Sequence, residues 1–186
     1  MVDKAPKVSL TGEIAEQISI SILHDGLQVN DFDCGDPVRN SWLQQRAFSN
    51  HRRDDTRTYV ASTTSGEVAG FYALTVGSIV RTPLPGPLRR NAPDPVSCVL
   101  LAQVAVSVRR QKRGLGRDLV LHAMGQTVKI AQLAGCRLFA VHPARPDLVG
   151  YYANFGFTEV NVTPPLMAMS LHRVRTTLAA VCPEIT

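Results

Sequence analysis

The chain is 186 residues long and 45% hydrophobic, with 20 Lys and Arg against 15 Asp and Glu for a net charge of +5. This suits one domain over residues 1–186 with a sizeable core, drawn to polyanions. No apolar run reaches the ~18 residues of a membrane span and no secretory pattern opens the chain, so no membrane partner and a cytoplasmic location are expected. Cys34, Cys98, Cys136 and Cys182 are scattered, which predicts free thiols and neither a disulfide framework nor a metal site.

Residues 1–16 are expected to be loose. Gln17 to His24 alternates, with Ile18, Ile20 and Ile22 on one side, and predicts a half-buried strand. Asp36 reads as a helix cap with Pro37 at the first helical position. A helix is predicted over Val38 to Asn50, with Trp42, Leu43 and Phe48 turned inward. Thr56 to Thr63 and Val68 to Val80 predict a hairpin with Ser65-Gly66 at its turn. Residues 79–95 hold prolines at 83, 85, 87, 93 and 95, together with Arg81, Arg89 and Arg90. Proline at that density predicts a loop without regular helix or strand, and loops of that length tend to be functional.

Leu100 to Val108 is mostly aliphatic and predicts a strand buried on both faces. A basic loop follows, Arg109 to Gly114, and then a helix over Leu115 to Leu133, closed by Gly135. Leu115, Leu119, Ala123 and Ile130 share its inner face. His122 falls near that face and reads as a structural histidine. Arg137 to Val141 predicts another strand, and His142 at its end is placed to approach a site there. A short helix precedes two last strands, Thr158 to Val162 and Leu166 to Leu171, and 173–186 reads as a basic terminal segment.

The chemistry is concentrated where the central strand meets the long helix. Gly114 and Gly116 let backbone approach a ligand closely, and the helix N-terminus offers free N–H groups and a positive dipole end. Together they form an anion site suited to a phosphate or pyrophosphate. A P-loop would need Lys and Ser or Thr after the second glycine, where Arg117-Asp118 stands. A dinucleotide fingerprint would need Gly or Ala at Leu119. The spacing that fits is Gln111-x-x-Gly114-x-Gly116, which resembles the acyl-CoA pyrophosphate loop of the GNAT acetyltransferases. Tyr151-Tyr152-x-x-x-Gly156-Phe157 resembles the second signature of that family, in the right order downstream. Phe32-x-Cys34-Gly35, Asn40-x-Trp42-Leu43 and Gly70-Phe71-Tyr72-Ala73-Leu74 resemble one subgroup, the acetyltransferase toxins of bacterial type II toxin–antitoxin modules. The likeness covers roughly Ile22 to Leu171.

The resemblance implies an α/β fold: a central twisted mixed sheet with two splayed strands, flanked by helices. It implies acetyl-CoA as cosubstrate and no metal. The cofactor would lie along Ala105, Val106 and Val108, with its diphosphate on the backbone of Arg113, Gly114, Leu115, Gly116 and Arg117. Arg109, Arg110 or Lys112 would add charge there. Tyr152 and Phe155 would complete that site, with the Val106 amide polarising the thioester carbonyl and Tyr152 protonating the departing sulfur. The resemblance further implies aminoacyl-tRNA as acceptor and a homodimer. A ribbon-helix-helix antitoxin is implied too, with operator DNA bound only through the antitoxin complex. Arg52, Arg53, Arg57, Arg81, Arg89 and Arg90 are surplus to the cofactor and are candidates for the tRNA backbone. Ser107 stands where many such toxins carry Asp, so no carboxylate base is evident. An α-amine, which titrates near ~8, has less need of one than a lysine at ~10.4. Two other readings stay open: an acetyltransferase of a small amine or protein, and a non-catalytic acyl-CoA-binding subunit.

Overall fold

A computed structural model describes residues 17–181, so the segment 1–16 and Cys182 lie outside the described residues. The elements are β1 (Ile18–Ile22), α1 (Pro37–Gln45), α2 (Ala47–Arg52), β2 (Arg57–Thr63), β3 (Val68–Ile79), α3 (Gly86–Arg89) and β4 (Val96–Val106). They continue as α4 (Leu115–Ala134), β5 (Leu138–Val141), α5 (Leu148–Ala153), β6 (Thr158–Val160), β7 (Leu166–Ser170) and α6 (Leu171–Val181). The strands form one sheet of order β1-β2-β3-β4-β5-β7-β6. It is antiparallel except between β4 and β5, which run parallel. This is the mixed α/β architecture expected of the chain.

Local chemistry accounts for most boundaries. The Asp36 carboxylate accepts from the Val38 and Arg39 amides, with Pro37 just inside the helix. Gly135, at φ 72°, closes α4. Four details differ from the sequence expectation. The helix after Pro37 breaks at Arg46, whose N–H still bonds to the Trp42 carbonyl while its φ of −116° leaves the helical range. The proline-rich loop contains one helical turn, α3, with Pro87 in its first turn where no N–H is needed. β4 starts earlier than Leu100, because Val96 to Val99 pair with Val76 to Ile79. The terminal segment after β7 is helix α6, whose Leu171 and Val174 are buried, with Leu178 and Val181 packed against the same core.

The sheet is covered on both faces. On one, α4, α5 and α6 pack through Leu119, Met124, Tyr152 and Val174, with Phe157 from the loop after α5, on Leu101, Phe139, Val141 and Met169. On the other, Trp42 stacks on Phe71 at 5.7 Å, and Leu43 and Ala47 close over Val60 and Ala105. The proline-rich loop covers the rest of that face, with Leu84 and Leu88 packed on Cys98, Leu138 and Ala168. Trp42 is thus a packing anchor.

A bulge interrupts β4. Ala73 lies opposite Gln103 and Leu74 opposite Leu101, so Ala102 is extra. An inserted residue switches the alternation of every later side chain and sharpens the local twist. Beyond it β3 and β4 pack closely: a Cβ on Gly70 would lie 2.9 Å from the Ala105 carbonyl oxygen.

His122 is held as a structural histidine. Its Nδ1 lies 2.7 Å from the Tyr72 hydroxyl, and Tyr59 stacks on Tyr72 at 4.9 Å. Burial, aided by the Lys129 charge, holds the His122 pKa below the ordinary value. Below pH ~6.5 the unfolded chain therefore takes up a proton that the folded chain resists. This stability is present above that pH and is lost as pH falls through the folded value. His51 shifts the same way, through burial and then Arg57. Urea midpoints measured at about pH 7.5 and about pH 5 are expected to be lower at the acid value.

Candidate active site

β5 ends at Val141, opposite Leu101, while β4 runs on to Val106. The last turn of the sheet therefore has β4 without a β5 partner, and the two strands part. A cavity of about 150 Å³ opens in that gap. Leu101, Val104, Ala105, Val106, Val141, His142 and Tyr152 line it, together with the polar side chains of Cys34, Asp36, Arg39, Gln111 and Arg145.

Strand alternation sets which backbone groups face the gap. The Ser107 N–H donates to the Ala69 carbonyl on β3, at 2.9 Å. Its neighbour Val106, opposite Gly70, therefore turns its amide the other way, into the gap. Ala105 also lines the cavity, but the same alternation turns its amide toward β3. Gln111 pins this end of the strand: its Nε2 donates to the Val106 carbonyl at 3.0 Å and to the Cys34 carbonyl at 2.9 Å. Val108 does not join the site. Its N–H is spent on the Asp33 carbonyl at 2.9 Å, because the chain leaves the strand after Val106 and turns under the Cys34 loop.

The basic loop leads into α4 through Gly114, at φ 91°. That left-handed conformation suits glycine. Among the described residues, the N–H groups of Arg113, Gly114, Leu115 and Gly116 make no backbone hydrogen bond. Arg117 differs from the expectation, since its N–H already bonds to the Gly114 carbonyl at 2.9 Å in the first helical turn. Four unspent amides at the positive end of a 20-residue helix fit a diphosphate. Of the side chains expected to add charge, Arg109 and Arg110 lie 3.5 and 3.6 Å from Glu67, so both are partly neutralised.

The two motifs meet. A Cβ on Gly116 would lie 3.4 Å from the Tyr151 hydroxyl and 3.7 Å from Val106 Cγ2. Tyr152 is 3% exposed, and its ring sits edge-on to Tyr151 and Phe157. Its hydroxyl has no hydrogen-bond partner among the described residues. Burial, then the neighbouring Tyr151, push its pKa up to about 12. The phenol therefore keeps its proton through the neutral range and is a donor rather than a base. Phe155 is buried on the other side of Tyr151 and lines, with Arg117, Tyr151 and Asn154, a second cavity of about 220 Å³ beside the start of α4.

The candidate tRNA-binding arginines lie elsewhere. None of Arg52, Arg53, Arg57, Arg81, Arg89 and Arg90 lines either cavity. Arg53 pairs with Asp55 at 2.9 Å and Arg57 with Asp54 at 2.5 Å. Arg52 donates to the Phe48 carbonyl, Arg81 to Ala92 and Arg89 to Thr82. Arg81, Arg89 and Arg90 follow β3 at the sheet end opposite Val106, because β4 runs away from them. Sequence reasoning missed the charged groups of the first cavity: Asp36 with its ion-pair partner Arg39, and Arg145, 3.1 Å from Asp147. Nothing local marks them, since the fold alone carries α1 and the loop after β5 to one place. No group of His, Cys, Asp and Glu able to hold a metal occurs among the described residues, and no described helix is long and apolar enough to cross a membrane.

The chain is similar to known proteins. The acetyltransferase (GNAT) family model matches residues 22–157. A tRNA-acetylating toxin of Mycobacterium tuberculosis (strain ATCC 25618 / H37Rv) is 38% identical over 149 residues, covering 80% of this chain and 89% of that protein. Among solved structures, AtaT complexed with acetyl-methionyl-tRNAfMet superposes with a TM-score of 0.80 at 23% identity, over 86% of this chain and 98% of that one. A mutant AtaT toxin bound to the C-terminus of the antitoxin AtaR and acetyl-CoA gives 0.73 at 22% identity, over 86% and 96%. At those identities the structures bear on the fold; the family match spans both motifs and the strand between them. The chain belongs to the GNAT family of acetyltransferases.

Proposed function

We propose that this enzyme is a toxin that moves an acetyl group from acetyl-CoA to the α-amino group of aminoacyl-tRNA and so stops translation. The observation that carries the reading is the gap between β4 and β5, which Val106 and the protonated Tyr152 phenol line and beside which Gly116, at the start of α4, approaches Val106 and Tyr151. The 38%-identical tRNA-acetylating toxin supports the choice of acceptor.

In this mechanism, Arg113, Gly114, Leu115 and Gly116 hold the diphosphate through their amides. The Val106 N–H polarises the thioester carbonyl; a donor of that kind contributes about 3 kcal/mol at the transition state. The amine attacks the carbonyl carbon, the C–S bond breaks, and Tyr152 gives its proton to the leaving sulfur. Phe157, edge-on to the ring at 5.7 Å, helps to fix the phenol. The acceptor enters beside Asp36, Arg39 and Arg145. Exposed Arg145 offers the first cationic contact for an incoming phosphate.

By the same likeness the toxin forms a homodimer, and a ribbon-helix-helix antitoxin neutralises it and carries the complex to operator DNA. The AtaT structure with AtaR supports the antitoxin part. Acceptor binding separates this reading from acetylation of a small amine. Affinity for charged tRNA, measured by filter binding, is expected to fall at least about tenfold between 50 and 200 mM salt, as counterion release requires. An affinity indifferent to salt contradicts a tRNA acceptor.

A further inference from the structure

The cavity wall holds a side chain able to take a proton that the mechanism above does not use. His142 follows Val141 at the end of β5 and lines the cavity with Tyr152 and Val106. Its Nδ1 lies 2.7 Å from the Pro165 carbonyl oxygen. A carbonyl oxygen only accepts, so Nδ1 carries the hydrogen and donates it. The neutral ring then keeps its basic lone pair on Nε2, which no protein group engages among the described residues.

The other candidates at the site are committed. The Asp36 carboxylate accepts from the Val38 and Arg39 amides and pairs with the Arg39 guanidinium. Burial raises the Cys34 thiol, and its Sγ is 3.0 Å from Asn40 Oδ1. Ser107 is 5% exposed and does not line the cavity. Tyr152 is the acid. His142 alone combines a free lone pair, a fixed tautomer and a place on the cavity wall.

We propose that His142 is the general base of the transfer, acting through Nε2 on the acceptor amine. The proposal rests on the acetyl-transfer reading above and adds the fate of the amine proton. As the nitrogen attacks the acetyl carbon, a C–N bond forms and the C–S bond to CoA breaks. The sulfur takes the Tyr152 proton, and Nε2 takes the proton that the nitrogen sheds. His142 is exposed, so the imidazolium returns its proton to water while water restores the phenol. The Nδ1–H to Pro165 bond strengthens as the ring gains charge. Arg39 and Arg145 also face this cavity, but Asp36 and Asp147 pair with them and offset their repulsion of the imidazolium.

The test uses the full chain, labelled acetyl-CoA and total charged tRNA. His142→Asn places an amide nitrogen where Nδ1 sits, so it keeps a donor for Pro165 and removes the base. Its turnover is expected to fall about 10²-fold or more, with acetyl-CoA affinity unchanged. His142→Ala is expected to recover activity as imidazole is added. Turnover of His142→Asn within about threefold of the parent, too little for a base, or no response of His142→Ala to imidazole overturns the assignment. A parent enzyme that labels no tRNA overturns the acetyl-transfer reading itself, a distinct failure.

Discussion

Tyr152→Phe is expected to lower the rate of acetyl transfer by about 10²- to 10⁴-fold, the range a positioned proton donor supplies. The ring stays, with its packing on Tyr151 and Phe157, so the fold and the cofactor groove should be preserved. Only the hydroxyl is lost. A thiolate near pKa ~8.5 is a poor leaving group without a proton, and no other group shown at the gap is a comparable donor. Tyr151 has a hydroxyl too, but it faces Gly116 and the second cavity. Tyr151→Phe is therefore expected to keep most of the turnover. Stopped-flow detection of free CoA thiol, beside calorimetric titration with acetyl-CoA, separates chemistry from binding. Equal turnover in the parent and Tyr152→Phe contradicts acid catalysis by this residue.

Gly114→Val is expected to weaken acetyl-CoA binding about tenfold to a hundredfold while leaving the sheet folded. At φ 91° a β-branched residue is strained, and the turn that presents four amides together must change. Each hydrogen bond from an amide to a charged diphosphate is worth roughly 1.5–3 kcal/mol, and about 1.4 kcal/mol is tenfold in affinity, so losing one suffices. Nothing lies within 4 Å of a Cβ at Gly114, so any loss comes from the backbone and not from a clash. Gly116→Val acts differently, because a side chain there meets the Tyr151 hydroxyl and Val106. An unchanged dissociation constant for Gly114→Val in calorimetry contradicts diphosphate binding by these amides.

Local chemistry was the legible part of the chain. The Asp36-Pro37 cap, the Ser65-Gly66 turn and the Gly135 stop depend on a few adjacent residues, and each stands where its residues place it. The break at Arg46 has no such marker, since neither Gly nor Pro sits there. The start of β4 was hidden by Pro93 and Pro95, although Val96 to Val99 has strand character and finds its partner in Val76 to Ile79. Helix α6 was legible in principle: Leu171, Val174, Leu178 and Val181 recur at helical spacing and meet the core.

The candidate site divides the same way. Gly114, Gly116, Val106 and Tyr152 carry signatures in the chain itself; Val106 and Tyr152 line the gap, and Gly116 lies beside Val106 and Tyr151. Val108 drops out through a hydrogen bond to Asp33, and Arg117 through one within the first turn of α4. Periodicity reports neither. Asp36, Arg39 and Arg145 join the site by tertiary placement alone. The arginine clusters were legible as charge but not as partners: local carboxylates and carbonyls engage Arg53, Arg57, Arg81 and Arg89, which charge counted along a sequence does not report.

What the whole account requires is that the acetyl carbon end up on the amine of a tRNA-linked amino acid. Incubating the protein with acetyl-labelled CoA and total charged tRNA, then separating RNA, protein and small molecules, reads this directly. Label is predicted in the RNA fraction, released as N-acetyl amino acid by mild base and absent when uncharged tRNA is supplied. Label confined to protein or to free amines contradicts the account.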